Sequence, residues 1–166
     1  MKKCLLWLVA VAVCQFAVAQ NIRINQNSYQ KVTVSFETGE LSVSDVSVPE
    51  GDFSVISLPG YGNTYSPGMP QLPQLAKMLQ IPVCDSVVAT VTNAQYTDYD
   101  AAELGIHHPL FPSQESVSKA KENPPFAYNS LVYHTDALVY FPLVHVEKAG
   151  IKRNAALANL YVSPVQ

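Results

Sequence analysis

One thiol and four imidazoles are the groups that could begin covalent chemistry in the body of this chain: Cys84, His107, His108, His134 and His145. A thiol nucleophile needs a histidine in reach and an environment that lowers its pKa, such as a helix N-terminus. Cys84 follows Ile81-Pro82-Val83 and precedes Asp85. No Cys-Gly or Gly-x-Cys elbow surrounds it, and no helix opens beside it, so it reads as a small apolar packing residue. A metal site needs three or four converging ligands with partners behind them. No zinc-type spacing of Cys and His is present. His134 and His145 lie on neighbouring strand-like segments and are the one pair expected to meet across a sheet, which is too few for a metal. Gly-x-Ser-x-Gly is absent. Asp98 and Asp100 sit in a tyrosine-rich turn, where solvated carboxylates are expected rather than a sugar-cleaving pair. The glycine-rich stretch from Pro59 to Gly68 lacks the Gly-Lys-Ser/Thr ending of a phosphate loop. No cofactor, metal or catalytic group is therefore assigned, and binding is the chemistry left.

The elements that would position a binding surface are organised around Gly68-Met69-Pro70-Gln71-Leu72-Pro73, followed by Ile81-Pro82. Pro70 and Pro73 fix φ and hold Met69 and Leu72 extended. Gly68 supplies the entry turn. The spacing predicts a stiff extended crossing, with room for a single helical turn over Leu75 to Leu79. Before it, Asn21 to Gln30 reads as an extended, loosely held polar arm, and Lys31 to Phe36, Leu41 to Val48 and Phe53 to Leu58 as strands. The phase change between Val43 and Val46 predicts a bulge or a change of sheet. After it, Val87 to Asn93, Leu131 to His134, Leu138 to Val146 and Leu157 to Val162 read as strands, Pro142 marking an edge or bulge. Ala149 to Asn154 is a hairpin-like turn. His107 to Pro125 is a long loop, with one or two helical turns conceivable from Ser116 to Glu122. Loops of that length are usually functional. Short strands with turn signals about every ten residues predict an all-β antiparallel sandwich or barrel.

The N-terminus reads as a secretory signal over residues 1–19. Met1-Lys2-Lys3 is basic, Cys4 to Val13 is apolar, and Ala17-Val18-Ala19 before Gln20 is a small-x-small cleavage site. The apolar run is too short to span a membrane. A lipid anchor at Cys14 is the disfavoured alternative, because Val13 is larger than the usual Gly or Ala. Residues 20–166 are expected to form one domain. Cleavage removes Cys4 and Cys14, leaving no possible internal disulfide. It also removes two of the ten cations, so the chain becomes more acidic than its formal −3. That excludes phosphate-backbone binding and adhesion to an anionic membrane. The segment is expected to be secreted, through the periplasm to the exterior or cell surface.

Gly-x-Pro-x-Leu-Pro with Ile-Pro about eight residues on resembles the signature of the gingipain-type (clan CD) cysteine peptidase propeptide. Three other segments agree in order: Phe53 to Gly60, Pro109-Leu110-Phe111-Pro112-Ser113-Gln114, and Leu160 to Gln166. The resemblance spans Phe53 to Gln166. It implies a jelly-roll-like antiparallel β-sandwich that is not itself catalytic. The family's peptidase domain has a His-Gly stretch and a small-residue-flanked Cys. Here each His is followed by His, Pro, Thr or Val, and Cys84 by Asp85. A peptidase domain is expected downstream. The partner implied is that cognate catalytic domain, with the propeptide as folding assistant and latency-keeping inhibitor.

In that family the propeptide covers the catalytic domain and can place a basic side chain in the specificity pocket. The candidates here are Lys119 and Lys121 in the long loop, then Lys152 and Arg153 in the last turn. The rival expectation is a stand-alone extracellular β-sandwich for adhesion or glycan binding, with Tyr61, Tyr65, Tyr96 and Tyr99 as stacking residues.

Overall fold

The computed structural model describes residues 22–28, 30–84, 86–117, 124–135 and 141–166. The expected signal segment with its Ala19-Gln20 cleavage point, and the candidates Lys119 and Lys121, lie outside the described residues. The chain divides into two units, Met1–Glu37 and Thr38–Gln166.

In the first unit the polar arm is itself a strand. Ile22–Asn27 (β1) pairs antiparallel with Val32–Phe36 (β2), with a register shift between Ile24 and Gln26. Ser28 closes the turn. Its N–H and hydroxyl each donate to Lys31 O at 2.9 Å, and its Oγ accepts from Lys31 N–H at 3.1 Å. The arm was expected to be loose because it is polar. Ladder bonds to the alternating Val32, Val34 and Phe36 override that weak local preference.

The second unit opens with a hairpin of Ser42–Val48 (β3) and Gly51–Ser57 (β4). Its register runs unbroken from Ser42↔Ser57 to Val48↔Gly51. The bulge expected between Val43 and Val46 is therefore absent. Val43, Val46 and Val48 are all half-buried, so both faces of β3 are partly covered and the phase change needs no slip. A four-stranded sheet follows, in the order β5 (Gly62–Asn63), β6 (Pro73–Ile81), β8 (Ala155–Val162), β7 (Val144–Lys152), with antiparallel ladders throughout. β6 occupies the stretch where a helical turn over Leu75 to Leu79 had been conceivable. The only helix among the described residues is α1, Ser130–His134, where a strand was expected. Thr135 Oγ1 donates to Leu131 O, and His134 Nδ1 meets Ser130 O at 2.7 Å, so local i to i+4 bonds claim this short stretch. His134 and His145 thus occupy different kinds of element and form no cross-sheet pair.

The fold is all-β, as the strand pattern predicted. Alternation sets its core. β8 buries Ala156, Ala158, Leu160 and Val162 on one face, and Phe53, Ile56, Leu58, Leu72 and Leu75 are buried with them. At roughly 1.5–3 kcal/mol for each large apolar side chain, this set carries the fold without a disulfide. Cys84 is free and half-buried.

Two expected features differ. Val87 to Asn93 forms no ladder among the described residues. β7 extends to Lys152, so the expected turn over Ala149 to Asn154 shrinks to Arg153-Asn154, and a register shift falls between Lys148 and Gly150.

Candidate protein interface around the proline motif

The two halves of the motif stand at opposite ends of β6. Pro73 opens the strand. Ile81 pairs with Ala156 as its last rung, and Pro82, lacking an N–H, ends the ladder. The first half is a clamp. Gly68 is buried with φ +83°, a conformation glycine adopts without penalty. Its N–H donates to Ser113 O at 2.8 Å, and its O accepts from Asn129 N–H at 3.0 Å. One residue therefore grips two distant segments. Ser113 N–H returns to Met69 O at 2.8 Å, and Gln71 N–H donates to Phe111 O at 2.9 Å. Pro70 and Pro112 face each other in an antiparallel bridge. Leu72 is tied to buried Thr64 twice, Thr64 N–H donating to Leu72 O at 2.8 Å and Leu72 N–H to Thr64 Oγ1 at 3.0 Å.

The 109–114 segment has β4 on its other side. Ser54 is fully buried, and its N–H donates to Pro109 O while its O accepts from Phe111 N–H, both at 2.9 Å. Its hydroxyl donates to Asp45 Oδ1 at 2.7 Å and accepts from His108 N–H at 3.3 Å. Phe53, Phe111, Phe126 and Tyr128 gather beside it, Phe53 meeting Phe111 edge-on at 5.7 Å and Phe126 at 5.8 Å. Tyr128 stacks on Tyr133 at 4.5 Å, and Tyr133 donates its hydroxyl to Leu110 O at 2.8 Å. Burial, with the adjoining Tyr128, pushes the Tyr133 phenol well above its ordinary pKa.

This scaffold fixes both stems of the long loop. Gln114 Nε2 donates to Pro112 O at 2.9 Å and Ala127 O at 3.0 Å, while its Oε1 accepts from Ala127 N–H at 2.9 Å. Ser116 N–H reaches Tyr65 OH at 3.4 Å. The chain between these stems contains Lys119 and Lys121. Gln114, Thr64 and Asn129 were not singled out as site residues from sequence. Gln114 does stand inside the proline-and-glutamine stretch, where a lone amide between prolines and polar residues is the available signal.

Lys152 and Arg153 lie elsewhere. Arg153 and Asn154, both at positive φ (49° and 67°), form the two-residue turn between β7 and β8. Both cations are exposed. They stand at the Ala155 end of eight-residue β8, whereas the motif clamp adjoins its Val162 end, roughly 25 Å away at ~3.3 Å per residue. The structure does not bring Lys152 and Arg153 to the clamped stems.

Other candidates are accounted for by local contacts. His145 stacks on Tyr161 and pairs with Glu147 at 2.9 Å, on an exposed sheet face. Cys84 O accepts from Lys148 Nζ at 2.7 Å. Among the described residues no three His, Cys, Asp or Glu side chains gather as a metal site. Tyr65, Tyr96 and Tyr99 are exposed, whereas Tyr61 has its hydroxyl buried without a partner among the described residues and pushed up in pKa by burial.

Comparison with known proteins gives consistent likenesses. The family model described as Propeptide_C25 matches residues 15–166. Lys-gingipain HG66 of Porphyromonas gingivalis is 31% identical over 179 residues, covering 100% of this chain and 10% of that protein. Lys-gingipain W83 of the same species is 32% identical over 142 residues, covering 84% of this chain and 8% of its own length. The chain thus spans about a tenth of these relatives. A solved structure concerned with zymogenic latency of gingipain K from P. gingivalis is similar with TM-score 0.79 at 29% identity, covering 91% of this chain and 84% of that one. A complex of P. gingivalis RgpB pro- and mature domains shares the fold, with TM-score 0.70 at 20% identity over 87% of this chain and 73% of that one.

Proposed function

The chain belongs to the Propeptide_C25 family, and from that premise we propose that it is the propeptide of a secreted gingipain-like cysteine endopeptidase, keeping the cognate catalytic domain latent and assisting its folding. The segment has no catalytic role of its own. It covers the peptidase before cleavage and is removed when the enzyme matures outside the inner membrane.

One observation carries this reading. The family motif is spent on clamping Ser113 and Asn129, and Gln114 closes on Ala127, so the stems of a single loop are held at fixed spacing. A loop held so pays little entropy when it enters a cleft. Its lysines, Lys119 and Lys121, are the candidates for the specificity pocket, where a long cation meets an acid at the floor. The remaining β surface supplies area and orientation. Lys152 and Arg153, a strand-length away, take the lesser part.

The test is a titration of the cognate mature peptidase with residues 20–166, read on a small peptide substrate. Saturable loss of activity is expected. Full activity at micromolar excess of propeptide would overturn the inhibitor reading.

A further inference from the structure

From Ser86 to Tyr99 the chain runs without helix, turn or bend, and none of its backbone N–H or C=O groups is hydrogen-bonded among the described residues. The stretch is nonetheless composed as a strand. Val87, Val88, Thr90, Val91 and Thr92 are β-branched, and Tyr96 and Tyr99 follow. Exposure alternates at its start. Val87 and Ala89 are half-buried, whereas Ser86, Val88 and Thr90 are exposed, Val88 by 80%. One side leans on the protein and the other faces outward, its peptide groups unpaired among the described residues.

The true edges of the sheet are protected against pairing, and this stretch is not. β7 carries Glu147, Lys148 and Lys152 and a register shift, and β5 is two residues long. Charge, irregularity and brevity are the usual guards of an exposed edge. Ser86 to Tyr99 has no Pro, Gly, Lys or Arg, and Asp98 is its one charge. An unguarded strand on a secreted protein is a hazard unless a partner covers it. A partner encoded in the same precursor is present at one-to-one stoichiometry.

We infer that Ser86–Tyr99 is an acceptor strand onto which the cognate peptidase domain adds a β-strand, a second contact besides the clamped loop. Main-chain bonds to Val87 through Thr92 would give affinity, and Tyr96 and Tyr99 would seat against the peptidase surface. The inference rests on the propeptide reading above.

Hydrogen exchange tests it, on the propeptide alone and bound to an inactive form of the mature peptidase. Amides of residues 87–92 exchange freely in the first and slow by about tenfold or more in the second, as expected when backbone bonds form. Val88→Pro and Ala89→Pro refine the test. In a ladder alternate N–H groups face the partner, so one proline weakens binding about tenfold and the other is tolerated, with thermal midpoints unchanged. Binding with 87–92 exchanging as in the free propeptide overturns the inference and leaves the inhibitor reading standing. So does slow exchange already present in the free propeptide, or equal tolerance of both prolines. Absence of any complex overturns both.

Discussion

Gln114 and Ala127 pair through both ends of one amide: Gln114 Nε2 donates to Ala127 O at 3.0 Å, and Ala127 N–H donates to Gln114 Oε1 at 2.9 Å. A side chain here imitates a rung of sheet and closes a loop that backbone pairing leaves open. Gln114→Ala is expected to cost about 1–2 kcal/mol of stability and to weaken inhibition by more than the fold loss alone, because the stems separate. Denaturant midpoints read beside inhibition constants check this; Gln114→Glu, which keeps the acceptor and loses the donor, should fall between.

The clamp at Gly68 depends on its φ of +83° and on space. A Cβ there would lie 3.3 Å from Asn129 N. Gly68→Ala is expected to destabilise by about 1–3 kcal/mol, visible as a lower urea midpoint with unchanged slope. Gly105, also at positive φ but with nothing within 4 Å of a new Cβ, is the control and should lose less.

Lys119→Ala or Lys121→Ala is expected to cost about 2–5 kcal/mol of binding, the usual penalty for truncating one member of a buried charge pair. Lys152→Ala and Arg153→Ala should shift the inhibition constant by no more than about 1 kcal/mol, as exposed charges do. Inhibition constants for the four variants decide between the two ends of the molecule. Arg153→Gly should also raise the melting temperature, since it relieves a φ of 49° in a turn that prefers glycine.

Alkaline pH should unfold the protein through its tyrosines. Tyr133 and Tyr61 are both raised in the folded state by burial. An unfolded tyrosine ionises near pH ~10, so above that the unfolded chain loses protons first and stability falls. Below it the contribution is fully present. Tyr133→Phe should flatten the decline above pH ~10 while lowering stability at neutral pH by about 1–3 kcal/mol, because Leu110 O loses its donor. Urea titrations at pH 8 and above check both.

Much of the strand pattern was legible because alternation speaks locally. Val32 to Phe36, Phe53 to Leu58 and Leu157 to Val162 sit where the sequence puts them. Two of the failures share a cause. Ile22–Asn27 is polar yet becomes a strand because β2 pairs with it, and Val87 to Asn93 has strand residues without a ladder among the described residues. Pairing is a property of two segments and is not written in either one. The clamp was half legible. The prolines and Gly68 announce a special backbone, but Ser113 and Asn129 lie 45 and 61 residues on in sequence, with nothing local to link them.

The order β5-β6-β8-β7 places the strand formed by Ala155–Val162 between partners made earlier in the chain. Among the described residues β6 and β7 meet nothing but β8 at this seam, so neither is completed until that strand is available. A nascent chain emerging from a ribosome would hold its first hundred and fifty residues without their central sheet. Such late, non-local closure makes folding slow. The same strand that seals the four-stranded sheet therefore also sets the moment of its closure.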